Sequence, residues 1–321
     1  MRIIVIGGAG FIGSEMAGFL IDKGHHVSVI DNLRTGKERY ITEAGKGKIN
    51  FIYGDILNLQ KVREAIREVD AVFHFAANAD IRGGMENTFL DLEQNLIGTY
   101  NVLEAMRQEG VKKIVFASSS GIYGEPEKIP TPESYGPLFP TSLYGASKLG
   151  AEGYISAFCE AFGIQAWIFR LVNIVGARNS HGVIGDFIRK LRKNPHKLEI
   201  LGNGKQQKSY LHVSDCISAI YFAFNKANNK INVFNLGNED TISVKEVADI
   251  VCEEMGLKDV TYSYTGGERG WIGDAPTVLL SVEKLKQLGF KFSGNSASAV
   301  RRATREMLKE TEIYDKKRSE S

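Results

Sequence analysis

The chain has 321 residues, of which 43% are hydrophobic and 24% charged, the composition of a folded protein with a sizeable core. Its 40 basic and 38 acidic residues give a net charge of +2, so no one-sided basic surface favours nucleic acid. The sequence contains no run of about eighteen apolar residues, so it predicts no membrane span. Three widely separated cysteines without metal-site or disulfide spacing predict a reduced, cytoplasmic protein that binds no metal.

The first half of the chain alternates short β-branched segments with longer helical patterns. Because these segments are apolar on both sides, they predict a parallel sheet covered by helices on both faces. This is a doubly wound α/β fold. The predicted strands are Arg2–Ile6, His26–Ile30, Asn50–Tyr53, Ala71–Phe75, Lys113–Ala117 and Gln165–Leu171.

After Asn173 the pattern changes to shorter mixed elements with glycine-rich turns, such as Gly202-Asn203-Gly204. We therefore predict a second, smaller α/β lobe that holds the substrate. The predicted boundaries are residues 1–173 for the dinucleotide-binding domain and 174–321 for the second lobe.

Glycines at positions 7, 10 and 13 follow the first predicted strand and open a helix. In that setting glycines let the backbone approach a pyrophosphate at the positive end of a helix, as in Rossmann dinucleotide-binding folds. The same spacing recurs at 267, 270 and 273, but Asp-Ala-Pro follows it rather than a helix. The context therefore favours the glycines at 7, 10 and 13 as the dinucleotide-binding loop. The alternative is that these glycines serve only the packing of the helix against the strand.

Asp31 ends the second predicted strand. A carboxylate there accepts hydrogen bonds from an adenosine ribose and repels the 2′-phosphate of NADP, so the sequence predicts NAD. Arg34 keeps NADP open as an alternative.

Tyr144 and Lys148 are four residues apart on a helix announced by Pro140, Thr141 and Ser142, so both side chains share one face. We expect the lysine, helped by the positive nicotinamide ring, to lower the pKa of the phenol and make it a base. Ser118-Ser119-Ser120, at the end of the fifth predicted strand, offers a hydroxyl to relay the proton. The alternative is an amphipathic surface helix with an incidental Tyr and Lys.

Several motifs together resemble the extended short-chain dehydrogenase/reductase family, and most closely its UDP-glucose 4-epimerases. The resemblance spans nearly the whole chain. It implies NAD as cofactor, a UDP-sugar as substrate and inversion at C4 through a 4-keto intermediate. The motifs are GGAGFIG at 7–13, Asp31-Asn32, Gly54-Asp55-Ile56, HFAA at 74–77, SSSGIYG at 118–124, YGASK at 144–148, RLVNIVG at 170–176 and YLHVSD at 210–215.

The resemblance also implies roles for individual residues and a return of residues 209–237 to the first lobe. Ser119, Tyr144 and Lys148 would be catalytic. The cofactor would contact Gly7, Gly10, Phe11, Ile12, Gly13, Asp31, Asn32, Asp55, Ile56, Phe75, Ala76, Ala77, Asn95, Tyr144, Lys148 and Val172. The nucleotide-sugar would contact Ser119, Tyr144, Asn173, Val183, Leu201, Lys208, Arg269 and Val278.

The sequence departs from its relatives in two places. Similar 4,6-dehydratases carry an acid in the serine-rich motif, where this chain has Ser120 and Gly121, so elimination of water would lack its acid. Lys208 and Trp271 stand where epimerases commonly have phosphate-binding arginines, and Arg269 is the expected substitute.

Val278 aligns with a position that faces the C2 substituent of the sugar in similar epimerases. A valine there leaves room for an N-acetyl group, although Val278 could instead pack against Leu279 and Leu280.

The resemblance also implies a homodimer through the helices near Asp91–Gln108 and Tyr144. Two rival functions stay open: a nucleotide-sugar dehydrogenase or reductase, and a non-catalytic NAD-binding regulator.

Overall fold

The computed structural model describes residues 1–45, 47–179 and 182–319, with side chains described as far as residue 310. The strands in these ranges are β1 (Arg2–Ile6), β2 (His26–Asp31), β3 (Asn50–Tyr53), β4 (Ala71–His74), β5 (Lys113–Ser119), β6 (Gln165–Leu171), β7 (Asn173–Val175), β8 (Lys197–Ile200), β9 (Gln207–Lys208), β10 (Tyr210–His212), β11 (Ile231–Leu236), β12 (Ile242–Ser243), β13 (Thr261–Tyr264) and β14 (Thr277–Val278).

Helices separate the strands. They are α1 (Phe11–Asp22), α2 (Glu38–Gly45), α3 (Leu59–Ile66), α4 (Ile81–Glu86), α5 (Thr88–Asp91), α6 (Gly98–Glu109), α7 (Leu143–Phe162), α8 (Val183–Lys193), α9 (Val213–Lys226), α10 (Val244–Glu254), α11 (Glu283–Gln287) and α12 (Ser296–Ser319). A π-helical turn, Leu92–Ile97, joins α5 to α6, and a 3₁₀ turn, Ser120–Tyr123, follows β5.

One parallel sheet organises the first part of the chain, with strand order β11-β6-β5-β4-β1-β2-β3 in the described residues. Alternation along a strand sends successive side chains to opposite faces. Ile3 and Val5 of β1 therefore join one core, while Ile4 and Ile6 join the core on the other face. Burial on both faces explains the continuous apolar runs, and the predicted doubly wound α/β fold is confirmed.

The strand order reverses between β1 and β4, because the chain moves from β1 to β2 and β3 on one side and returns to β4 on the other. Loops at the carboxyl ends of the two strands diverge at such a point and leave a crevice for a ligand. Here the loop after β4 stays close to β1, since the N–H groups of Phe75 and Ala76 both donate to the Ile6 carbonyl, at 2.8 and 2.9 Å.

Late segments of the chain return to this sheet. Strand β11 pairs in parallel with β6, and α9 packs its apolar side chains into the same core as β1. The remaining short strands pair as β7 with β10, β8 with β13, and β12-β9-β14. A third core, around Phe187, Leu198 and Val251, lies beneath them. The second lobe is thus α/β, while its boundary at residue 173 stays a prediction.

Local signals place the helix that carries the Tyr/Lys pair. The Ser142 side chain caps α7 by accepting a bond from the Gly145 N–H at 3.0 Å, and Gly163 ends the helix with a left-handed φ of 65°. The other helix predicted near Asp91–Gln108 differs from expectation, because the π-helical turn interrupts it. None of the helices in the described part of the chain has the length and apolarity needed to cross a membrane.

Candidate active site

The loop between β1 and α1 is shaped by close backbone contacts that exclude side chains. A Cβ on Gly13 would lie 2.2 Å from the Gly7 carbonyl oxygen, and one on Gly7 would lie 2.5 Å from the Ala76 backbone nitrogen. Gly10 is the N-cap of α1 and has no side chain to cap it. The first N–H groups of α1 are thus left for an anion, and a pyrophosphate fits this cradle.

Asp31 holds this loop in place through both carboxylate oxygens. The Ala9 N–H donates to Oδ2 at 2.9 Å, and the Leu33 N–H donates to Oδ1 at 2.8 Å. Burial raises the pKa of Asp31 above its usual value, while these two bonds oppose the shift. The contact with a cofactor ribose remains a prediction, and the structure adds a role in ordering the glycine loop.

Other predicted cofactor residues gather at the carboxyl ends of neighbouring strands. The Asn32 amide donates to the Asp55 carboxylate at 2.8 Å, so the ends of β2 and β3 are tied together. Ile56 is buried and lies where a Cβ on Gly98 would clash with it. Val172 is buried and donates its N–H to the Leu236 carbonyl. The Phe11 ring lies close to Gly176, beside the second lobe.

The three predicted catalytic side chains come together beyond β5. Ser119 Oγ and the Tyr144 ring flank the same point, at 3.3 and 4.0 Å from where a Cβ on Gly121 would lie, and the Ser119 side chain acts on the pKa of the Tyr144 phenol. Lys148, one turn along α7, lies with its Nζ 5.9 Å from the centroid of the Tyr144 ring and 4.8 Å from that of Phe116. Its ammonium donates to the Ala117 carbonyl at 2.9 Å.

Burial sets the protonation of this group. It raises the pKa of Tyr144 to about 12, although the neighbouring Ser119 side chain acts in the opposite direction. It also lowers the pKa of Lys148 to about 8, against the attraction of Asp91 and Glu152. For the protein's own groups the net shift of the Tyr144 pKa is therefore upward, because desolvation of the phenolate outweighs the effect of Ser119. The expectation that Lys148 and the nicotinamide ring together lower this pKa stays a prediction.

A buried polar network lies behind Lys148, and sequence reasoning found only its Asn95. The Asn95 amide donates to Ser147 Oγ at 3.0 Å and to Asp91 Oδ1 at 3.2 Å, and its oxygen accepts from the Asn78 N–H. Asn95 lies in the π-helical turn, a feature frequent at functional sites. Only the irregular helix between Asp91 and Gly98 brings these groups together, and no periodicity in the sequence signals it.

A second buried network was also missed. Glu152 accepts from Ser118 Oγ at 2.5 Å and forms an ion pair with Arg170 at 2.8 Å, and Arg170 donates to the Tyr123 hydroxyl at 2.8 Å. Asn235 of β11 accepts from that hydroxyl at 2.8 Å. The spacing of Glu152 four residues after Lys148 is the one signal that could have predicted it.

In the second lobe, the two predicted phosphate-binding cations are already paired with acids. Lys208 Nζ donates to Asp274 Oδ1 at 2.7 Å and to the Ala275 carbonyl. The Arg269 guanidinium forms a two-bond ion pair with Glu125, with Nη2 to Oε2 at 2.9 Å. This second pair joins the loop after the 3₁₀ turn to the loop before β14.

The other predicted substrate residues fall into two groups. The Asn173 amide donates to the Ser209 carbonyl at 3.2 Å, and the Ser209 N–H donates to the Val278 carbonyl at 2.9 Å, which brings these residues next to Lys208. Leu201 lies near Gly270. Val183 starts α8 and packs against the third core, and no contact links it to the rest of the set among the described residues.

This fold, with a glycine loop at the switch point and a Ser/Tyr/Lys set beyond β5, is that of an extended short-chain dehydrogenase/reductase. The family model for the NAD dependent epimerase/dehydratase family matches residues 3–237. The chain belongs to this family, and its cofactor is NAD.

Individual proteins and solved structures of this family are similar to the chain over most of its length. A putative UDP-glucose 4-epimerase of Methanocaldococcus jannaschii is 36% identical over 296 residues, covering 90% of this chain and 92% of that protein. A crystal structure of a UDP-galactose 4-epimerase is 38% identical with a TM-score of 0.87, over 97% of this chain and 99% of that one. A UDP-N-acetyl-alpha-D-glucosaminuronate decarboxylase of Bacillus cytotoxicus is 35% identical over 77% of this chain and 78% of that protein. Family membership alone thus makes this chain an NAD-dependent enzyme without fixing its reaction.

We expect Gly13→Ala to abolish NAD retention, because its Cβ would collide with the Gly7 carbonyl and widen the cradle. The overlap with backbone should also cost about 1–3 kcal/mol of unfolding free energy. The NAD content of the purified protein and its thermal unfolding measure the two effects. Gly153→Ala is the matched control, since a Cβ at that position would meet nothing within 4 Å. Normal NAD content in the Gly13 variant would contradict the cradle.

Proposed function

We propose that this enzyme is an epimerase that inverts C4 of a UDP-sugar through a transient 4-keto intermediate. The observation that carries the proposal is the placement of Ser119 next to Tyr144 and buried Lys148, with Ser120 and Gly121 where elimination would need an acid. UDP-sugars are named in all three compared relatives, which supports the substrate class.

Bound NAD would supply a hydride acceptor at C4 and return the same hydride. The protein's own part is to move one proton. The Tyr144 phenolate would take the proton of the C4 hydroxyl while the C4–H bond gives up its hydride, and Ser119 would hold the oxygen in place. Return of hydride to the opposite face and of the proton to the oxygen leaves the C4 centre inverted and the cofactor unchanged.

The surroundings of Gly121 support oxidation without elimination. A Cβ on Gly121 would lie 3.3 Å from Ser119 Oγ, so a carboxylate side chain here would lie beside the catalytic hydroxyl. None is present at 120 or 121. A net dehydrogenase or reductase and a non-catalytic regulator remain the rival functions, and Tyr144 with Lys148 argues against the regulator.

We expect the purified enzyme to interconvert UDP-galactose and UDP-glucose without accumulating NADH, because the hydride returns to the sugar. Separation of the nucleotide-sugars measures conversion, and NADH absorbance is followed in the same reaction. Carbon dioxide release from UDP-glucuronate would instead indicate a decarboxylase. Stoichiometric NADH would indicate a dehydrogenase.

Tyr144→Phe is the control for this mechanism. The ring keeps its volume but loses the proton acceptor, so turnover should fall by about 10²–10⁴-fold while NAD stays bound. Near-normal turnover in that variant would exclude Tyr144 as the base.

Val278 is the proposed determinant of substrate size. It is partly buried against the core that contains Leu280, and β14 places it in register with Lys208 of β9. Packing in the core and contact with the sugar are compatible roles. A valine beside the phosphate-binding lysine supports a pocket that accepts an N-acetyl group.

We expect wild-type enzyme to accept UDP-N-acetylgalactosamine as well as UDP-galactose, and Val278→Tyr to reject only the N-acetyl substrate by overlap. The ratio of the two kcat/KM values in each variant is the measurement. An equal loss on both substrates would show that Val278 only packs the core.

We also propose a homodimer that forms through α6 and α7. These helices present one apolar face, on which Tyr100 stacks edge-on against Tyr154 with ring centroids 6.1 Å apart. An apolar face of this extent favours association. Its exposed members on these two helices are Tyr100, Tyr154 and Phe162, and the preceding α5 and π-helical turn add exposed Phe89, Leu92 and Ile97. The buried, unpaired cysteines support our placement of the protein in the cytoplasm.

Tyr154→Glu should give a monomer, because it places a charge in the middle of the face. Light scattering at micromolar concentration measures the mass. Tyr53→Glu, which changes another exposed tyrosine at the end of the edge strand β3, should leave the dimer intact. A monomeric wild type would refute the assembly.

A further inference from the structure

Lys148 carries a buried charge that lacks a direct counter-ion. Its side chain is almost fully buried, and its ammonium donates to the neutral Ala117 carbonyl. Among the residues that the structure describes, no carboxylate lies within ion-pair distance of it. Burying an isolated ammonium is costly unless a nearby negative charge compensates for it.

The charged and titratable groups around Lys148 come from three elements. His74 of β4 has its pKa lowered to about 3, chiefly by burial, so it is neutral. Glu152 of α7 acts on Lys148 from one turn away. However, Glu152 receives three bonds from the Arg170 guanidinium, so the positive charge of Arg170 cancels most of its field.

Asp91 of α5 is the third group, and no cation among the described residues forms an ion pair with it. Burial raises the pKa of its carboxyl, while the bonds from Asn78 and Asn95 and the charge of Lys148 act in the opposite direction. Asp91 is 1% exposed. Oδ1 accepts from the amides of Asn78 and Asn95, at 2.9 and 3.2 Å, whereas Oδ2 has no hydrogen-bond partner among the described residues. It acts electrostatically on both Lys148 and Tyr144. A second acid that acts on it, Asp80, is exposed at the start of α4.

The contacts of Asn95 tie Asp91 to the helix of the Tyr/Lys pair. The Asn95 amide bonds both Asp91 Oδ1 and Ser147 Oγ, and Ser147 Oγ donates to the Tyr144 carbonyl at 2.8 Å. Asp91 is thus fixed against the turn of α7 that lies between Tyr144 and Lys148. The π-helical turn after α5 makes this contact possible, because it carries Asn95.

We propose that Asp91 is the buried counter-ion of Lys148, a positioning residue that keeps the lysine charged inside the site. This inference rests on the proposed roles of Lys148 in holding NAD and in assisting Tyr144. A negative charge favours the protonated form of both neighbours, so Asp91 retains the ammonium and also opposes formation of the phenolate. The bound cofactor's positive ring would then act on a phenol that burial and Asp91 together keep neutral.

Nuclear magnetic resonance of protein labelled with ¹³C-lysine tests this inference without turnover. The Lys148 Cε signal is assigned as the one that Lys148→Met removes, and its titration midpoint is measured in each variant. Asp91→Asn is nearly isosteric and keeps an oxygen to accept both amide bonds. We expect it to lower the midpoint of Lys148 by about one pH unit, a tenfold change in proton affinity.

Asp80→Asn is the matched control, since it removes the same charge from the same segment while its side chain can still accept the Gly83 N–H bond. We expect it to move the midpoint by less than about 0.2 unit, because an exposed charge is screened. Equal shifts in the two variants, or none in Asp91→Asn, would overturn the counter-ion.

A stability cycle tests the same pairing if Asp91→Asn folds poorly. Lys148→Met leaves Asp91 uncompensated, so adding Asp91→Asn to Lys148→Met should raise the melting temperature, whereas Asp91→Asn alone should lower it. A drop of the same size in both backgrounds would overturn the pairing. Neither measurement needs substrate, so an enzyme that fails the epimerase assay can still confirm or refute the role of Asp91 as counter-ion.

Discussion

A single buried ammonium constrains the arrangement of the site. Lys148 must lie beside Tyr144 to act on it, and that position is under the carboxyl end of the sheet, where water is excluded. The structure compensates with a carbonyl at the end of β5, the face of Phe116 and two acids from different helices. These compensating groups come from several elements, so the packing of the helices and strands around α7 must satisfy the buried charge of Lys148.

The two acids, Glu152 and Asp91, have different roles because their hydrogen-bond partners differ. Glu152 is locked by Arg170, and through Tyr123 and Asn235 it connects α7 to β11, a strand that the chain contributes only after it has built part of the second lobe. The ion pair therefore joins early and late parts of the chain within one buried network. Asp91 has only amide partners and keeps its charge available to the site. A buried network that is fully paired orders the fold, whereas a buried charge that is left unpaired can tune a neighbour.

Sequence patterns predicted the sheet, and the structure places Ser119, Tyr144 and Lys148 together, although their catalytic roles stay predictions. Continuous apolar runs, glycines before α1 and the Ser142 cap are local signals, and the structure confirms the doubly wound fold that they imply. The upward shift of the Tyr144 pKa in the protein's own groups was not predicted, because desolvation depends on the whole fold and not on the four-residue spacing of Tyr144 and Lys148. Asp91 was missed because its burial depends on a π-helical turn that no repeat in the sequence encodes. The assigned roles of Asp31, Asn173 and Val183 rest on motif likeness and stay predictions.

The cost of leaving a buried charge unpaired also applies to Lys208 and Arg269, the two cations of the second lobe that are predicted to bind the substrate. A diphosphate gains only the difference between a new ion pair and the one that it displaces. Lys208 and Asp274 are 10% and 15% exposed, so breaking their bond would strand a poorly solvated carboxylate. Arg269 and Glu125 are 42% and 41% exposed, so water can solvate Glu125 when the guanidinium turns away. We therefore expect Arg269 to exchange Glu125 for phosphate, while Lys208 stays on Asp274 and contributes its remaining hydrogen-bond capacity. In that arrangement the replacement of an arginine by Lys208 is tolerated, because the bidentate contact moves to Arg269.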